Sequence, residues 1–274
     1  GNLKDVLPEG TAVAAGDANT ALPEGTAVAA GTTTIVYTVT NTNGCANSTS
    51  FVMNVNAVPV LTAIAGANNL CVGTTTTLAN AQAGGSWSSS DVAIATVAAN
   101  GVVTGLTAGT VNITYTYTNA AGCASAVSQT LTINALPVAT ITANGPTTFC
   151  PGGSVVLDAT PGMVSYAWNT GAPTASITAT NAANYTVTII DANGCTATSA
   201  PFAVNHFALP NATISSTGST ACLGSTVTLT AAGGVSYAWS NGPATAVNNV
   251  TAANTYTVTV TSAEGCTATA SETV

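Results

Sequence analysis

Seven cysteines are the residues of this sequence whose spacing could support chemistry. Four of them follow a glycine in the related stretches TNGCANS, AAGCASA, DANGCTATSA and AEGCTAT; they are Cys45, Cys123, Cys195 and Cys266. We call this motif the Gly-Cys turn. The other three open a second motif, the Cys-x-Gly turn, at Cys71, Cys150 and Cys222. Without any CxxC pair, cysteines at such regular places predict disulfides and an oxidising compartment outside the cytoplasm.

The remaining reactive side chains do not form a recognisable catalytic set. His206, in VNHFALP, is the one histidine, and no G-x-S-x-G elbow accompanies it. The carboxylates Asp91, Asp158, Asp191 and Glu264 are scattered singly, so paired-carboxylate hydrolysis has no evident site. Metal binding would need clustered cysteines and histidines or converging carboxylates. The sequence therefore predicts no catalytic, cofactor-binding or metal-binding residue, and Asp191 is predicted to cap its own turn.

The composition excludes several classes of partner. Charged residues are 4% of the 274, the formal net charge is −8, and Lys4 is the one basic residue. A nucleic acid or an anionic membrane surface needs clustered cations, which this chain lacks. Polar residues interrupt every apolar stretch before it reaches the roughly 18 residues of a transmembrane helix, so no direct membrane insertion is expected. Abundant Thr and Val, with few helix-forming residues, favour β-strands.

A long repeat organises the chain. An Ala-apolar-Pro start, at Pro59, Pro137 and Pro210, leads in order to a Cys-x-Gly turn, a Trp strand, a Tyr strand, a Gly-Cys turn and a last strand. Short alternating strands with one Trp and one Tyr are the layout of an immunoglobulin-like (Ig-like) β-sandwich. We predict that these aromatic residues pack in the cores; they are Trp87, Trp168, Trp239, Tyr37, Tyr115, Tyr185 and Tyr256.

The predicted fold class is all-β, with tandem Ig-like β-sandwich domains in a linear rod. The four predicted domains, called here the first to fourth repeats, are 1–56, 57–134, 135–207 and 208–274. The first is incomplete, and where its missing strands should lie the segment LPEGTAVAAG occurs twice, at 7–16 and 22–31, as predicted turn-strand pieces. An incomplete sandwich exposes strand edges, so we expect either continuation in a longer chain or self-association, in which a neighbouring copy adds a strand.

The repeats resemble known families. The fourth, GGVSYAWSNGPATAVNNVTAANTYTVTVTSAEGCTATASETV, resembles the repeats of SprB-type gliding adhesins and related Ig-like or PKD-like modules of giant Bacteroidota surface proteins, and the third is similar. The second, with WSSSDVAIATVAANGVVTGLTAGTVNITYT, resembles the bacterial Ig-like modules of intimin-type adhesins. The end of the first, AAGTTTIVYTVTNTNGCANS, is similar to a hyalin-type repeat. These resemblances imply sandwich folds and an extracellular setting, but no particular role.

Two disulfide schemes are open at this point. Pairing within repeats gives Cys71–Cys123, Cys150–Cys195 and Cys222–Cys266, with Cys45 left over. The two motifs are expected at opposite poles of a sandwich, roughly 25 Å apart, whereas a disulfide needs Cα atoms within about 7 Å. Pairing between successive repeats gives Cys71–Cys195 and Cys150–Cys266. In this scheme Cys45 and Cys222 are expected to pair with repeats outside this chain, and Cys123 lacks its partner in the incomplete first repeat.

The functional expectation is a non-catalytic extracellular or cell-surface structural protein: part of a stalk, an adhesin shaft or a filament braced by disulfides. The alternative is a carbohydrate-binding or spacer module of a larger secreted enzyme, which would need an exposed aromatic cluster or a charged pocket. The sequence specifies no surface or glycan ligand. Fibres seen by electron microscopy would favour the first reading, and binding on a glycan array the second.

Overall fold

β-Strands are the regular elements of this protein. The structure, a computed structural model, describes residues 29–220, 222 and 224–274, and every regular element among them is a strand. The first LPEGTAVAAG copy and most of the second, predicted as turn-strand pieces, lie outside the described residues. In the described part, no helix is long and apolar enough to cross a membrane. The chain divides into two compact units, Gly1–Ile133 and Asn134–Val274.

The described part of the first repeat is a two-stranded antiparallel hairpin of β1 (Gly31–Thr40) and β2 (Ala46–Val55). All ten residue pairs of the hairpin are in register. Opposite residues of an antiparallel pair project to the same face, so Ile35 and Tyr37 share one face with Phe51. That face is apolar, and the reverse face carries mainly Thr and Ser.

The hairpin corrects one prediction about the core. Tyr37 was predicted to be a core aromatic, but 40% of it is exposed, and Phe51 beside it is 46% exposed. Among the described residues, β1 and β2 hydrogen-bond only to each other. Burial of an aromatic ring in a sandwich requires a second sheet, and none of the described strands faces this ring.

The second repeat is a complete sandwich. Its strands are β3 (Asn69–Cys71), β4 (Thr75–Thr77), β5 (Ser86–Ser89), β6 (Ala95–Val97), β7 (Val102–Gly105), β8 (Gly109–Thr118) and β9 (Ala124–Asn134). One sheet has the order β3-β9-β8-β5 and the other β4-β7-β6. Leu78, Ile113 and Leu131 are fully buried between the sheets. Trp87 is half-buried against this core, with its ring 4.7 Å from that of Tyr115.

The third repeat has three small sheets. Its strands are β10 (Ile141–Ala143), β11 (Thr148–Phe149), β12 (Val155–Ala159), β13 (Ser165–Trp168), β14 (Ser176–Ala179), β15 (Ala183–Tyr185), β16 (Val187–Ile190), β17 (Thr196–Thr198) and β18 (Phe202–His206). The sheet orders are β10-β12-β14, β11-β18-β15 and β13-β16-β17. β11 runs parallel to the last strand, β18, with Phe149 opposite His206. The start of this repeat therefore lies beside its end.

The fourth repeat is a smaller sandwich with its own core. Its strands are β19 (Thr213–Ser216), β20 (Val227–Ala232), β21 (Ser236–Trp239), β22 (Val247–Val250), β23 (Thr255–Thr261) and β24 (Thr267–Thr273). They form two sheets, β19-β20-β22 and β21-β23-β24. Leu229, Val258 and Val260 are fully buried between them.

Both sandwiches of the second compact unit fix their core aromatics with hydrogen bonds. Trp168 and Trp239 are buried, and their indole Nε1–H groups donate to backbone carbonyls six residues later, at 2.8 and 2.9 Å. The hydroxyls of Tyr185 and Tyr256 donate to carbonyls four residues earlier, at 3.0 and 2.9 Å. A buried Tyr bonded back to the preceding backbone is the tyrosine corner of Ig-like folds, and it satisfies a hydroxyl that burial would otherwise penalise.

Two glycines of the second repeat test how closely the chain packs around Leu78. Gly101 and Gly122 have nearly equal φ angles, +83° and +81°. A Cβ added at Gly101 would overlap the carbonyl oxygen of Leu78, whereas nothing lies within 4 Å of a Cβ added at Gly122. We expect Gly122→Ala to cost about 1–2 kcal/mol, the penalty of the left-handed conformation, and Gly101→Ala at least about 1–3 kcal/mol more. Hydrogen exchange of the β8 amides measures both; equal losses of protection would contradict the packing.

Candidate functional site: the cysteine turns

The Gly-Cys turns share one hydrogen-bond pattern. In the third repeat, the N–H groups of Asn193 and Cys195 donate to Oδ1 of Asp191, at 2.9 and 2.8 Å. The N–H of Asp191 donates to the carbonyl of Cys195 at 3.0 Å, and that of Gly194 to the carbonyl of Asp191 at 3.1 Å. This bears out the prediction that Asp191 caps its own turn. The equivalent residues of the other turns are Asn41, Asn119 and Ser262.

Asp191 was predicted as a cap, whereas the caps at Asn41, Asn119 and Ser262 are the part of the site that the sequence analysis did not identify. Each lies four residues before its cysteine and offers a side-chain oxygen to the cysteine N–H, at 2.8–3.3 Å. The sequence does carry the signal, as Asn, Asp or Ser in the pattern N/D/S-x-x-Gly-Cys. Short polar side chains of this kind hydrogen-bond the backbone two to four residues on and so define tight turns.

The glycine of each Gly-Cys turn is required for its backbone conformation. The φ angles of Gly44, Gly122, Gly194 and Gly265 lie between +79° and +87°. Nothing lies within 4 Å of an added Cβ at any of them. Space is therefore available for a side chain, and the left-handed backbone is what selects glycine. The turn places the cysteine directly before the last strand of the first, second and fourth repeats, and directly before β17 of the third.

The Cys-x-Gly turns are also alike. The residue three positions after each cysteine donates its N–H to the cysteine carbonyl, and the donors are Thr74 at 3.0 Å, Gly153 at 2.9 Å and Ser225 at 2.9 Å. The intervening glycines again have positive φ, between +81° and +91°. Two cysteine-bearing turns of defined geometry thus recur along the chain.

One bond between the two kinds of turn lies within the second compact unit. Cys150, in the Cys-x-Gly turn of the third repeat, forms a disulfide with Cys266, in the Gly-Cys turn of the fourth. Their Cα atoms are 5.3 Å apart, and 116 residues separate them in sequence. This pair was predicted by pairing between successive repeats. Pairing within repeats is wrong for Cys150–Cys195 and for Cys222–Cys266.

The strand order of the third repeat explains why pairing within the repeat fails. Cys150 directly follows Phe149, which lies opposite His206 at the end of β18. Cys195 directly precedes β17, at the beginning of the same last segment. Eleven residues, 196–206, form β17, a short connection and β18, and an extended chain of this length spans roughly 35 Å. A disulfide cannot span that distance.

The other cysteines differ in their surroundings. Cys71, in β3, and Cys195, which is fully buried, are also disulfide-bonded. Cys45, Cys123 and Cys222 are free thiols, so pairing within repeats is wrong for Cys71–Cys123 as well. Cys45 and Cys222 are exposed, and Cys123 is half-buried.

The Cys123 turn is packed against the chain that enters the second repeat. The Cys123 thiol donates to the carbonyl of Asn56 at 3.7 Å, and Nδ2 of Asn119 donates to the carbonyl of Ala57 at 3.0 Å. Residues 56 and 57 therefore cover this turn from one side. The Cys45 thiol has no comparable contact among the described residues.

The other chemistry-bearing residues serve local structure. Nε2 of His206 lies 3.1 Å from the carbonyl oxygen of Thr180, and its ring lies 5.2 Å from that of Phe149. Asp91 accepts a bond from the N–H of Ala93 at 2.9 Å, and Asp158 accepts one from Nδ2 of Asn144 at 2.6 Å. The structure does not bring these groups together. In the described part of the chain, no three His, Cys, Asp or Glu side chains converge as a metal site would require.

The capping carboxylate can be tested by a pair of substitutions. Asp191→Ala removes the acceptor of two N–H bonds, and we expect the free energy of opening of this turn to fall by about 1–3 kcal/mol. Asp191→Asn keeps an oxygen acceptor, as in the turns at Asn41 and Asn119, and should change it by less than about 0.5 kcal/mol. Hydrogen exchange of the Cys195 amide reads both. Equal protection in the two variants would show that the side chain does not hold the turn.

Comparisons with known proteins agree with the fold. Residues 51–128 match the bacterial Ig-like domain (group 2) family. No curated protein matches the chain. Among solved structures, the chain is similar to the N-terminal eight Ig domains of Down Syndrome Cell Adhesion Molecule, with 14% identity and a TM-score of 0.34. The alignment covers 88% of this chain and 45% of that one, so the chain spans less than half of that relative.

Two bacterial structures are also similar. A Ca²⁺-stabilized adhesin of an Antarctic bacterium that binds ice has 14% identity and a TM-score of 0.32, with 88% of this chain and 80% of that chain covered. Domains 1–6 of the surface layer protein SbsC have 13% identity and a TM-score of 0.27, with 89% and 47% covered. The described part of the chain is thus all-β with Ig-like sandwiches, and residues 51–128 are similar to a bacterial Ig-like domain.

Proposed function

We propose that this chain is a non-catalytic structural segment of an extracellular stalk, adhesin shaft or filament, of the kind formed by SprB-type gliding adhesins. Its Ig-like repeats follow one another without long linkers, and a disulfide joins the third repeat to the fourth. The segment acts mechanically, by keeping successive sandwiches attached when the chain is pulled. An oxidising, extracellular or cell-surface location accompanies this function, because disulfides persist in such compartments.

The Cys150–Cys266 disulfide is the observation that carries the proposal. It connects the third and fourth repeats, whose hydrophobic cores are separate clusters built around Leu157 and Leu229. A bond inside one sandwich would stabilise that sandwich alone. A bond between two sandwiches resists their separation, so it keeps them attached when force is applied along the chain.

The alternative, a carbohydrate-binding or spacer module of a secreted enzyme, receives less support. Stacking on sugar rings requires exposed aromatic faces. Trp168 and Trp239 instead lie in sandwich cores, with exposures of 3% and 4%, and their indole nitrogens are bonded to backbone.

Peptide mapping under non-reducing conditions tests the pairing scheme. Trypsin has one basic site, Lys4, so thermolysin is the suitable protease. We expect linked peptides that contain Cys150 with Cys266, because this bond joins the third repeat to the fourth. Peptides that contain Cys150 linked to Cys195 would contradict the proposal.

Single-molecule pulling of the complete chain tests the mechanical role. The Cys150–Cys266 bond removes 116 residues from the path of the force. At about 3.5 Å per extended residue, reduction should lengthen the fully unfolded chain by at least about 400 Å. The variant Cys123→Ser, which removes a free thiol, should show the same gain. A gain far below this value would mean that the bond does not lie on the mechanical path.

A further inference from the structure

The exposed thiols of Cys45 and Cys222 are complementary halves of the bond that joins Cys150 to Cys266. We propose that Cys222 of one copy of this chain forms a disulfide with Cys45 of a second copy, so that copies are joined head to tail. This inference rests on the proposed function, because it extends the connection between repeats across the ends of two chains.

The Cys222 half matches the turn of Cys150. The N–H of Ser225 donates to the carbonyl of Cys222 at 2.9 Å, as that of Gly153 does to the carbonyl of Cys150 at the same distance. Oγ of Ser225 adds a second bond to the same carbonyl at 2.8 Å. The φ angles of the two glycines, at 224 and 152, are +86° and +91°. Cys222 is thus held in the conformation in which Cys150 forms its bond, with an exposed thiol.

The Cys45 half matches the turn of Cys266. Asn41 donates its N–H to the carbonyl of Cys45 at 2.9 Å, and Ser262 donates its N–H to the carbonyl of Cys266 at 2.8 Å. The N–H groups of Cys45 and Cys266 donate in turn to the side-chain oxygens of these two residues, at 2.9 and 3.3 Å. Cys266 is buried in its bond, whereas Cys45 is exposed with a free thiol.

The third free thiol does not compete for the bond. Cys123 sits in the same type of turn as Cys45, but its Sγ lies 3.7 Å from the carbonyl oxygen of Asn56 and its capping Asn119 is bonded to Ala57. Residues 56 and 57 therefore cover this turn on one side, and Cys123 is half-buried where Cys45 is exposed. Cys45 is the accessible Gly-Cys partner, and Cys222 is the free Cys-x-Gly partner.

Two different surfaces meet in this bond, which fixes the kind of assembly. Each copy offers Cys222 to one neighbour and Cys45 to another, so the contact is heterologous and either grows as an open chain or closes as a ring. A symmetric dimer through Cys45–Cys45 would leave every Cys222 unused. The partner is accordingly a second copy of this chain in head-to-tail order.

The bond forms by thiol–disulfide exchange with a small disulfide such as oxidised glutathione. The Cys222 thiolate attacks one sulfur of that disulfide, forms a mixed disulfide and releases one glutathione thiol. The Cys45 thiolate of the second copy then attacks the Cys222 sulfur and releases the second glutathione. Two protein thiols are oxidised, one glutathione disulfide is reduced, and the two protons end on the released thiols.

The test uses the full chain in a glutathione redox buffer, followed by non-reducing electrophoresis. We expect the wild-type chain to give a ladder of oligomers that collapses on reduction. Cys45→Ser and Cys222→Ser should each stay monomeric, since each keeps one half of the bond. An equal mixture of the two variants should give dimers and no larger species. Cys123→Ser, the matched control, should keep the full ladder.

Other results would overturn the proposal. The proposal is wrong if the mixture stays monomeric, if the ladder persists in Cys45→Ser, or if it disappears in Cys123→Ser. It is also wrong if a Cys45–Cys222 peptide is found in monomers. Mapping of Cys150–Cys266 in the same samples distinguishes failure of the head-to-tail contact from failure of the proposed function. If that bond is present without Cys45–Cys222 dimers, the head-to-tail contact is wrong and the proposed function stands. If Cys150–Cys266 is itself absent, the proposed function fails.

Discussion

The two cysteine-bearing turns of an Ig-like sandwich lie at opposite ends of its final segment. This separation governs how the repeats are connected. A cysteine beside the end of β18 cannot reach a cysteine at the start of β17, so Cys150 bonds to Cys266 in the following repeat. The bond closes a loop of 116 residues, and the loss of chain entropy on closing a loop of this size corresponds to about 4–5 kcal/mol in the unfolded state. Two sandwiches whose cores share no buried residue thereby gain a second covalent connection besides the main chain.

The polar surface is built from hydroxyl groups in place of charges. On the outer faces, cross-strand Thr and Ser pairs hydrogen-bond at 2.8–2.9 Å, at Thr114–Ser128, Thr188–Thr198, Thr255–Thr273 and Thr257–Ser271. Each such pair contributes roughly 0.2–1 kcal/mol. Because these bonds involve no charge, salt screens them little, unlike ion pairs. A composition with 4% charged residues is therefore compatible with well-satisfied strands, and it leaves the covalent bonds as the strongest specific links between repeats.

Local features were predictable from the sequence, and features that depend on tertiary neighbours were less so. Alternating Thr and Val, and the turns around glycine, predicted an all-β Ig-like fold because the period and the left-handed positions are encoded locally. The caps at Asn41, Asn119 and Ser262 were not predicted, although each is a short polar residue four positions before its cysteine. Tyr37 follows the same local pattern as Tyr256, yet 40% of it is exposed, since burial depends on a second sheet. The disulfide pairing stayed undecided because spacing gives loop lengths, whereas strand order determines which pole each cysteine occupies.

Cys45 and Cys123 lie in turns of the same shape and are both free thiols, but they differ in exposure. Both cysteines follow a glycine at φ +81°, and both donate their N–H to Oδ1 of an asparagine four residues earlier. Local sequence therefore fixes the shape of the turn in each. What differs is the path of the neighbouring chain, which packs residues 56 and 57 against Cys123 and leaves Cys45 exposed. A disulfide between repeats needs an accessible turn at one pole and a Cys-x-Gly turn at the other. In the second repeat, the entering chain thus covers the Gly-Cys turn, and local sequence alone does not determine how accessible such a turn is.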